Sequence, residues 1–339
     1  MRRALLARAV AVFALAVVAA GCGSGGSADS TTRPSTRHAT LILDFTPNAV
    51  HAGIYSALAR HYLRSVGLNL HVLAPTASTD SIKLLETGRV HFAILDIHDL
   101  AIARERGQDI VGVMAIVQRP LSAVIAAPEV SSPRALEGRA VGITGVPSDT
   151  AVLRSVLTGS GADPARVKTI TIGFNAVADL LAGRVAGATA FWNDEGQAIR
   201  SQRPGFHIFR VDEYGAPSYP ELVLCATRRT IQRNPGLTQR VVDALVHGYE
   251  FTLLHPSQSA ADLEKQVPGL DPKLVGAQLT GLLPAFQPPD HRVGELDVSR
   301  LGAWARWEAR FGIVSRPPEV TRAFDPSFTA NVPTPASGR

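Results

Sequence analysis

The segment best suited to chemistry runs from Asp44 to Tyr55, where an acid, an aromatic ring, an amide and an imidazole crowd one strand-to-helix turn. Pro47 and Asn48 have a structural explanation there, because proline fixes φ and asparagine caps helices. An exposed loop offers no such explanation for Phe45. The turn is therefore a candidate binding loop for a small molecule with a flat ring.

Two further segments carry acids and aromatic rings. Trp192-Asn-Asp-Glu-Gly196 follows an apolar run, and its acids Asp194 and Glu195 suit the first turn of a helix whatever their function. Adjacent helical residues diverge by about 100°, so these two acids do not form a general acid–base pair. Tyr214–Glu221 is a turn-rich segment before a strand, and its aromatic rings either line a cleft or cover a hinge.

Catalytic and metal-binding patterns are weak in this sequence. Asp96, His98 and Asp99 place two ligands together, but no second cluster has ligand spacing. No G-x-S-x-G, Walker A or H-E-x-x-H motif occurs. Cys225 lies in an apolar run and is predicted to be a buried small hydrophobe rather than a reactive thiol. We therefore expect no enzyme activity, no metal and no cofactor.

Short apolar runs alternate with helical patterns from residue 39 onward, which predicts an α/β protein with parallel sheets covered by helices on both faces. From about Thr230 to Phe311 the patterns are helical throughout. The predicted strands are Ala39–Leu43, Leu68–Leu73, Val90–Leu95, Ile110–Val117, Leu121–Ala127, Ala140–Ile143, Val167–Ile172, Ala186–Phe191 and Leu222–Ala226.

The order of these elements predicts two lobes, one inserted into the other. A strand, a polar loop, a helix and a second strand occur near residue 40 and again near residue 140. We expect the chain to leave the first lobe near Gln118–Ala127 and to return near Tyr219–Ala226, which makes a hinge. The expected boundaries are 39–120 with 225–325 for lobe 1, 121–224 for lobe 2 and 326–339 for a mobile tail.

Four loops follow strands in this arrangement. Ligands of open α/β sheets bind beyond the carboxyl ends of strands. The loops at such ends hold most of the unusual polar and aromatic residues, so we expect one binding cleft where they meet. They are Asp44–Val50, Asp96–Asp99, Gly145–Thr150 and Trp192–Gly196.

The N-terminus has the pattern of a secretory signal. The arginines of the first eight residues precede the apolar run Ala9–Ala20, which is shorter than the roughly 20 residues that span a bilayer core. Small residues stand directly before Cys22, as in the lipobox of bacterial lipoproteins. We expect a signal peptide at 1–21, a lipid on Cys22 and a flexible tether over 22–38. An ordinary signal peptide cut elsewhere is the alternative.

The overall composition is that of a globular protein. The 339 residues are 45% hydrophobic and 19% charged. The net charge of +5 comes partly from the N-terminal arginines, and no run of Lys or Arg with interleaved aromatic residues occurs. We therefore expect no nucleic-acid partner.

Six motifs, in order and spacing, resemble the binding components of thiamine-pyrimidine importers (the ThiY type) over about residues 40–255. The first, Leu43-Asp-Phe-Thr-Pro-Asn-Ala-Val-His-Ala-Gly-Ile-Tyr55, is similar to the family form L-D-W-x-P-N-x-x-H-x-G-x-Y, with Phe45 in place of tryptophan. The other motifs begin at Leu84, Leu136, Gly173, Trp192 and Tyr214.

The resemblance implies a type II periplasmic-binding-protein fold whose two lobes close on a solute for an ABC permease. At matching positions, Phe45 would stack on the ligand ring and Glu195 would accept hydrogen bonds from an aminopyrimidine edge. We expect ligand contacts from thirteen residues: Asp44, Phe45, Asn48, His51, Asp96, Gln118, Ser148, Asp149, Trp192, Asn193, Glu195, Tyr219 and Glu221.

Several alternatives remain open. Relatives of this type also carry riboflavin or sulfonates. Phe45, Trp192 and Tyr219 could stack on a flavin. The acids Asp149 and Glu195 argue against a bound anion such as a sulfonate. The superfamily includes enzymes that make the thiamine pyrimidine, but their cysteine-rich run is absent here. A sensor subunit is a third class. The expected protein is a monomeric lipoprotein on the extracytoplasmic face of the membrane that binds a heteroaromatic thiamine-pyrimidine precursor.

Overall fold

The computed structural model describes residues 37–77, 79–146 and 148–332. The expected signal peptide, the lipidated Cys22 and nearly all of the expected tether lie outside the described residues. Within these ranges, none of the helices combines the length and the apolar character that crossing a membrane requires.

The described residues form ten strands, and nine of them coincide with the predicted apolar runs to within a few residues. The sequence does not predict β9, because this strand has only four residues and carries His207 and Arg210 at its ends. The strands are β1 (Arg37–Ile42), β2 (Leu68–Leu73), β3 (Phe92–Asp96), β4 (Ile110–Ala115), β5 (Ser122–Ala126), β6 (Ala140–Ile143), β7 (Lys168–Thr171), β8 (Gly187–Phe191), β9 (His207–Arg210) and β10 (Leu222–Thr227).

Helices follow most of these strands and fill the C-terminal third. The side chains of Asp96, Asp271 and Asp297 each accept a backbone N–H at the start of a helix, which fixes where it begins. The helices are α1 (Ala52–Ala59), α2 (Tyr62–Ser65), α3 (Asp80–Glu86), α4 (Ile97–Glu105), α5 (Asp149–Gly159), α6 (Ala176–Leu181), α7 (Glu195–Gln202), α8 (Arg228–Arg233), α9 (Pro235–Leu254), α10 (Pro256–Gln266), α11 (Pro272–Phe286), α12 (Val298–Arg310), α13 (Val320–Ala323) and α14 (Ser327–Ala330).

The strands build two five-stranded sheets of the same design. The first has the order β2-β1-β3-β10-β4 and the second the order β7-β6-β8-β5-β9. In each sheet the first three strands are parallel, and the fourth runs antiparallel to both of its neighbours. That fourth strand is the one the chain reaches by crossing from the other sheet. The sheets are therefore mixed rather than purely parallel, and the α/β protein is two-lobed with one lobe inserted into the other.

The chain crosses between the sheets twice. It leaves the first sheet after Ala115 and joins the second at Ser122, and it returns between Arg210 and Leu222. Leu222 pairs with Asp96 in the first sheet, which lies within the expected return near Tyr219–Ala226 but before the expected lobe boundary at residue 225. We call the elements of the first sheet lobe 1 and those of the second sheet lobe 2.

The expectation of a mobile tail from residue 326 is wrong for the described part of it. Ser327–Ala330 forms α14, which packs on α9 and β4. Phe324 and Phe328 are 3% and 7% exposed, and Phe324 bridges to Gly112 in β4. Two buried aromatic rings bury enough apolar surface to hold a short, proline-rich segment against lobe 1. Residues 333–339 lie outside the described residues.

Candidate ligand-binding cleft

A cavity lies between the two sheets, beyond the carboxyl ends of β1, β3, β6 and β8. Residues from all four loops that the sequence places at these ends contribute to its wall. The enclosed volume that water-sized groups can enter is about 110 Å³. The position beyond the carboxyl ends of the strands is that of a site for a small solute.

The structure brings together only part of the expected site. Six of the thirteen expected ligand residues line the cavity: Asp44, Phe45, Asp96, Ser148, Asp149 and Glu195. Seven do not line it: Asn48, His51, Gln118, Trp192, Asn193, Tyr219 and Glu221. Most of these seven have structural partners that explain their positions.

Asn48 and His51 hold the first binding loop in place. The Nε2 atom of His51 lies 2.9 Å from Oδ1 of Asp44, and the imidazole is fully buried. The side chain of Asn48 caps the turn by accepting the backbone N–H of Val50, and its amide donates to Oδ2 of Asp194 in lobe 2 at 3.3 Å. These residues therefore position Asp44 and join the lobes behind the cavity.

Gln118 and Trp192 lie beside the crossings. The amide of Gln118 donates to the carbonyl oxygens of Phe286 and Arg292 at 3.1 and 2.7 Å. The indole N–H of Trp192 donates to the carbonyl of Pro120 at 3.0 Å. Both side chains therefore tie the first crossing to its surroundings.

Asn193 is also buried and does not face the cavity. It is 1% exposed. Its Oδ1 atom has no hydrogen-bond partner among the described residues. We have no structural account of this unpaired oxygen.

Glu221 and Tyr219 belong to the hinge. Of the two roles that the sequence leaves open for Tyr214–Glu221, these residues take the hinge and do not line the cavity. The carboxylate of Glu221 accepts the backbone N–H of Leu121 at 2.5 Å, and it accepts the N–H and the hydroxyl of Ser122 at 3.0 and 2.6 Å. The hydroxyl of Tyr219 lies 3.1 Å from Nε2 of His98. The second crossing is thus bonded directly to the first.

His98 is the centre of this hinge network. Its Nδ1 is hydrogen-bonded to Glu308 of α12. Burial by itself lowers the pKa of His98, but the carboxylates of Glu308 and Asp96 outweigh it and raise the pKa to about 10. Asp96, His98 and Glu221 have ligand-type atoms within 4.8 Å of one another. Both imidazole nitrogens are already hydrogen-bonded, so the group serves as a charged hinge network rather than an open ligand set.

The buried acid Glu195 begins α7 and forms one side of the cavity. Its Oε2 accepts the backbone N–H of Phe191 at 3.0 Å. Burial, reinforced by the neighbouring Asp194, raises the pKa of Glu195 to about 8. Burial also raises the pKa of Asp194 to about 6. Near pH 7 the carboxyl of Glu195 is therefore largely protonated, and it can donate one hydrogen bond while accepting others.

Asp99 and Asp149 form another acidic side of the cavity. Ser148 donates from lobe 2 to Oδ1 of Asp99 in lobe 1 at 3.2 Å. Burial and the charge of Asp149 raise the pKa of Asp99 to about 7. Burial also raises the pKa of Asp149, although four hydrogen bonds oppose this rise. These bonds come from the Thr144 hydroxyl, the backbone N–H groups of Gly145 and Val146, and the Thr189 hydroxyl.

Two aromatic rings from different lobes meet at the cavity. Phe45 follows β1, and Phe174 lies between β7 and α6. Their ring centroids are 4.4 Å apart with an interplanar angle of 70°, an edge-to-face contact. The ring expected to stack on a ligand is thus paired with a second ring across the cleft.

The sequence analysis names neither Asp99 nor Phe174 as a ligand residue, although Phe174 lies in the motif that begins at Gly173. A signal exists for each: Asp99 stands three residues after Asp96, a spacing that places two residues on one face where a helix begins. Phe174 is, like Phe45, a large aromatic residue in a polar turn. Ser122 and Thr189 also line the cavity from strands, and no sequence pattern distinguishes them.

The sequence matches a family described as NMT1/THI5 like over residues 48–259. The formylaminopyrimidine-binding protein of Halalkalibacterium halodurans is 29% identical over 222 residues, which cover 65% of this chain and 67% of that protein. The riboflavin-binding protein RibY of Chloroflexus aurantiacus is 26% identical over 310 residues, 87% of each chain.

The alkanesulfonate-binding protein SsuA from Xanthomonas axonopodis pv. citri, solved with bound MOPS, superposes with a TM-score of 0.69 at 16% identity. The likeness covers 86% of this chain and 99% of that one. It confirms that the two-lobed architecture is the periplasmic-binding-protein fold expected from the sequence. Because the family match spans more than half of the sequence, this chain belongs to the NMT1/THI5 like family.

Proposed function

We propose that the protein is the solute-binding component of an ABC importer and carries an aminopyrimidine precursor of thiamine between its lobes. The observation that carries the proposal is the buried carboxyl of Glu195 on the wall of a cavity that both lobes build. The match to a formylaminopyrimidine-binding protein supports the same ligand class. The remaining parts of the proposal are a lipid on Cys22, a monomeric state, an extracytoplasmic location and a membrane permease as partner.

Glu195 suits an aminopyrimidine edge in its protonated form. Such an edge presents an amino group, which donates, beside a ring nitrogen, which accepts. A neutral carboxyl presents the complementary pair, an O–H donor beside an acceptor oxygen. A buried site that satisfies both partners rejects analogues lacking either one, because the unmatched group stays buried without a hydrogen bond.

The aromatic pair supplies the apolar contact. Phe45 and Phe174 come from opposite lobes and contact each other, so a flat ligand would meet one ring from each side only after the two rings separate. Closure of two lobes on a solute is the usual movement of such hinged proteins. We propose that Phe45 stacks on the pyrimidine and that Phe174 covers it.

The cavity argues against a sulfonate cargo. An anion needs Lys, Arg or unpaired N–H donors, and the described residues that line this cavity include neither Lys nor Arg, while five bear carboxyl groups. Riboflavin is the second candidate, because the match to RibY runs over 87% of both chains. A flavin is neutral and wide, and it would use the same two phenylalanine rings.

A thermal-shift screen of the purified protein tests the cargo, using an aminopyrimidine precursor, thiamine, riboflavin and taurine. A ligand at 100 times its Kd stabilises the folded state by about 2.7 kcal/mol, which is readily measured. We expect a shift with the aminopyrimidine. A shift with riboflavin alone would reassign the cargo, and a shift with taurine alone would contradict the charge argument. Mass spectrometry of the recovered ligand should find it unchanged, whereas a new product would indicate an enzyme.

A further inference from the structure

The cavity buries acids without a basic partner on its wall. None of the described residues lining it is Lys, Arg or His. A buried carboxylate is costly unless a cation or several hydrogen-bond donors compensate it. The five lining residues that carry a carboxyl group are Asp44, Asp96, Asp99, Asp149 and Glu195.

Asp99, like Glu195, has a single side-chain hydrogen bond for its depth. It is 7% exposed, and only its Oδ1 has a partner among the described residues, the hydroxyl of Ser148. Asp149 is equally deep at 6% exposed, yet it accepts four hydrogen bonds from its own lobe. One oxygen of Asp99 is therefore left for a group that enters the cavity.

We propose that Asp99, with Asp96 one helical turn before it, binds a primary ammonium group of the ligand. The inference rests on the proposed function and narrows its substrate class. The cargo is then an aminopyrimidine with a positively charged amine arm, with its ring at Glu195 and its arm at Asp99. An ammonium group offers three donors and a compact charge, which suits two neighbouring carboxyl groups better than a neutral hydroxyl does.

The charges around Asp99 agree with this assignment. Burial is the largest effect on the pKa of Asp99 and raises it; Asp149 and Glu308 also raise it, whereas His98 and the hydroxyl of Ser148 lower it. Burial also raises the pKa of Asp96 well above its usual range, despite the nearby His98. An incoming cation favours the ionised form of both acids. Binding of an ammonium ligand should therefore release protons at neutral pH.

Isothermal titration calorimetry on the unaltered protein tests the inference with two ligands that share one ring. These are 4-amino-5-aminomethyl-2-methylpyrimidine and 4-amino-5-hydroxymethyl-2-methylpyrimidine, which differ only in the ammonium and hydroxyl arms. At pH 7 we expect the aminomethyl compound to bind about 10- to 100-fold more tightly, the range for a charge-assisted hydrogen bond. Titrations in buffers of different ionisation enthalpy should show proton release with the aminomethyl compound alone.

The outcomes separate the inference from the function on which it rests. Equal affinity for the two compounds, or tighter binding of the hydroxymethyl compound, overturns the ammonium site and leaves the proposed function standing. Binding of neither compound overturns both.

Two variants then locate the ammonium site. Asp99→Asn keeps the shape of the side chain and should remove the preference by weakening the aminomethyl compound about 10- to 100-fold. Asp290→Asn is the matched control, because Asp290 is exposed and has a φ of 65° that asparagine adopts readily. The control should keep the preference. A preference that survives Asp99→Asn would remove Asp99 from the site.

Discussion

The hinge and the cleft both bury carboxyl groups, but the two regions differ in how the chain compensates them. At the hinge, the imidazole of His98 lies against Glu308, and the carboxylate of Glu221 is 3.8 Å away. The fully buried Glu221 also accepts hydrogen bonds from the backbone N–H groups of Leu121 and Ser122, where the first crossing ends. In the cleft, Asp99 and Glu195 are 7% and 9% exposed and face no basic residue among those described on the wall.

The difference separates structural acids from ligand-binding acids. Burial depth is similar in the two regions, so depth does not identify the function. What differs is whether the chain itself completes the charge and hydrogen-bond balance. A balanced group stabilises one arrangement of the backbone. An unbalanced group in a cavity keeps part of its interaction free energy for a ligand, and this is where function is expected.

The largest effect, on the free energy of unfolding, is expected from removing the imidazole of His98 at the hinge. His98→Ala leaves Glu308 and Glu221 buried without a positive charge, which should lower the free energy of unfolding by about 3–5 kcal/mol. Urea denaturation followed by circular dichroism measures the loss. The stabilisation by the raised pKa of His98 is complete below about pH 6.5 and declines as the pH rises towards 10.

His38→Ala is the control for this variant. His38 is exposed on β1, and its imidazole makes one long contact of 3.4 Å with Asn69. An exposed substitution of this kind should change the stability by less than about 0.5 kcal/mol. If His98→Ala cost no more than the control, the hinge would not depend on its cation and the comparison between the two regions would fail.

The next largest effect is expected in the cleft, on the affinity for the ligand. Glu195→Ala removes both the donor and the acceptor offered to the pyrimidine, so its affinity should fall about 10- to 100-fold, or about 1.5–3 kcal/mol. Glu195→Gln keeps one donor and one acceptor, and it should lose much less. Calorimetry with the hydroxymethylpyrimidine measures both variants. An equal loss in the two would mean that a carboxylate, not a neutral carboxyl, contacts the ring.

The fold follows closely from the sequence because its strands are buried apolar runs. Leu68–Leu73 and Ala140–Ile143 are predicted without error at either end. The sequence does not predict β9, since a four-residue strand with polar ends leaves no run to detect. The sequence does not predict the last helices either, because Phe324 and Phe328 are buried by contacts with β4 and α9, which are remote in sequence.

The site follows from the sequence only in part, because residue type does not reveal where a side chain points. Tyrosine and histidine are common in binding sites. In this fold, however, Tyr219 is hydrogen-bonded to His98 in the hinge, and His51 is hydrogen-bonded to Asp44 and holds the first binding loop. Asp99 receives its role from Ser148, which is distant in sequence and belongs to the other lobe. Such a contact exists only once both sheets are assembled, so local patterns cannot supply it.

A change of pH should have a smaller effect on ligand affinity, and the raised pKa of Glu195 sets the direction of this effect. The neutral, donating form is held below about pH 8 and is lost above it. Affinity for the uncharged hydroxymethylpyrimidine should therefore fall about tenfold for each pH unit above 8. Glu195→Gln does not titrate and should show no such fall. Calorimetry from pH 6 to 9 tests this, and a flat wild-type profile would contradict the neutral carboxyl.

The smallest effect on ligand binding is expected from changing the aromatic pair, and it shows whether the two rings contact the ligand. Phe174 contacts Phe45 from the opposite lobe, and neither ring balances a charge. If Phe174 covers the bound ring, Phe174→Ala should weaken pyrimidine binding about two- to tenfold, or about 0.5–1.5 kcal/mol, and mainly by faster dissociation. Phe174→Leu retains apolar area and should lose less. Stopped-flow dissociation rates measure this, and unchanged rates in both variants would make the pair a contact between lobes with no part in binding.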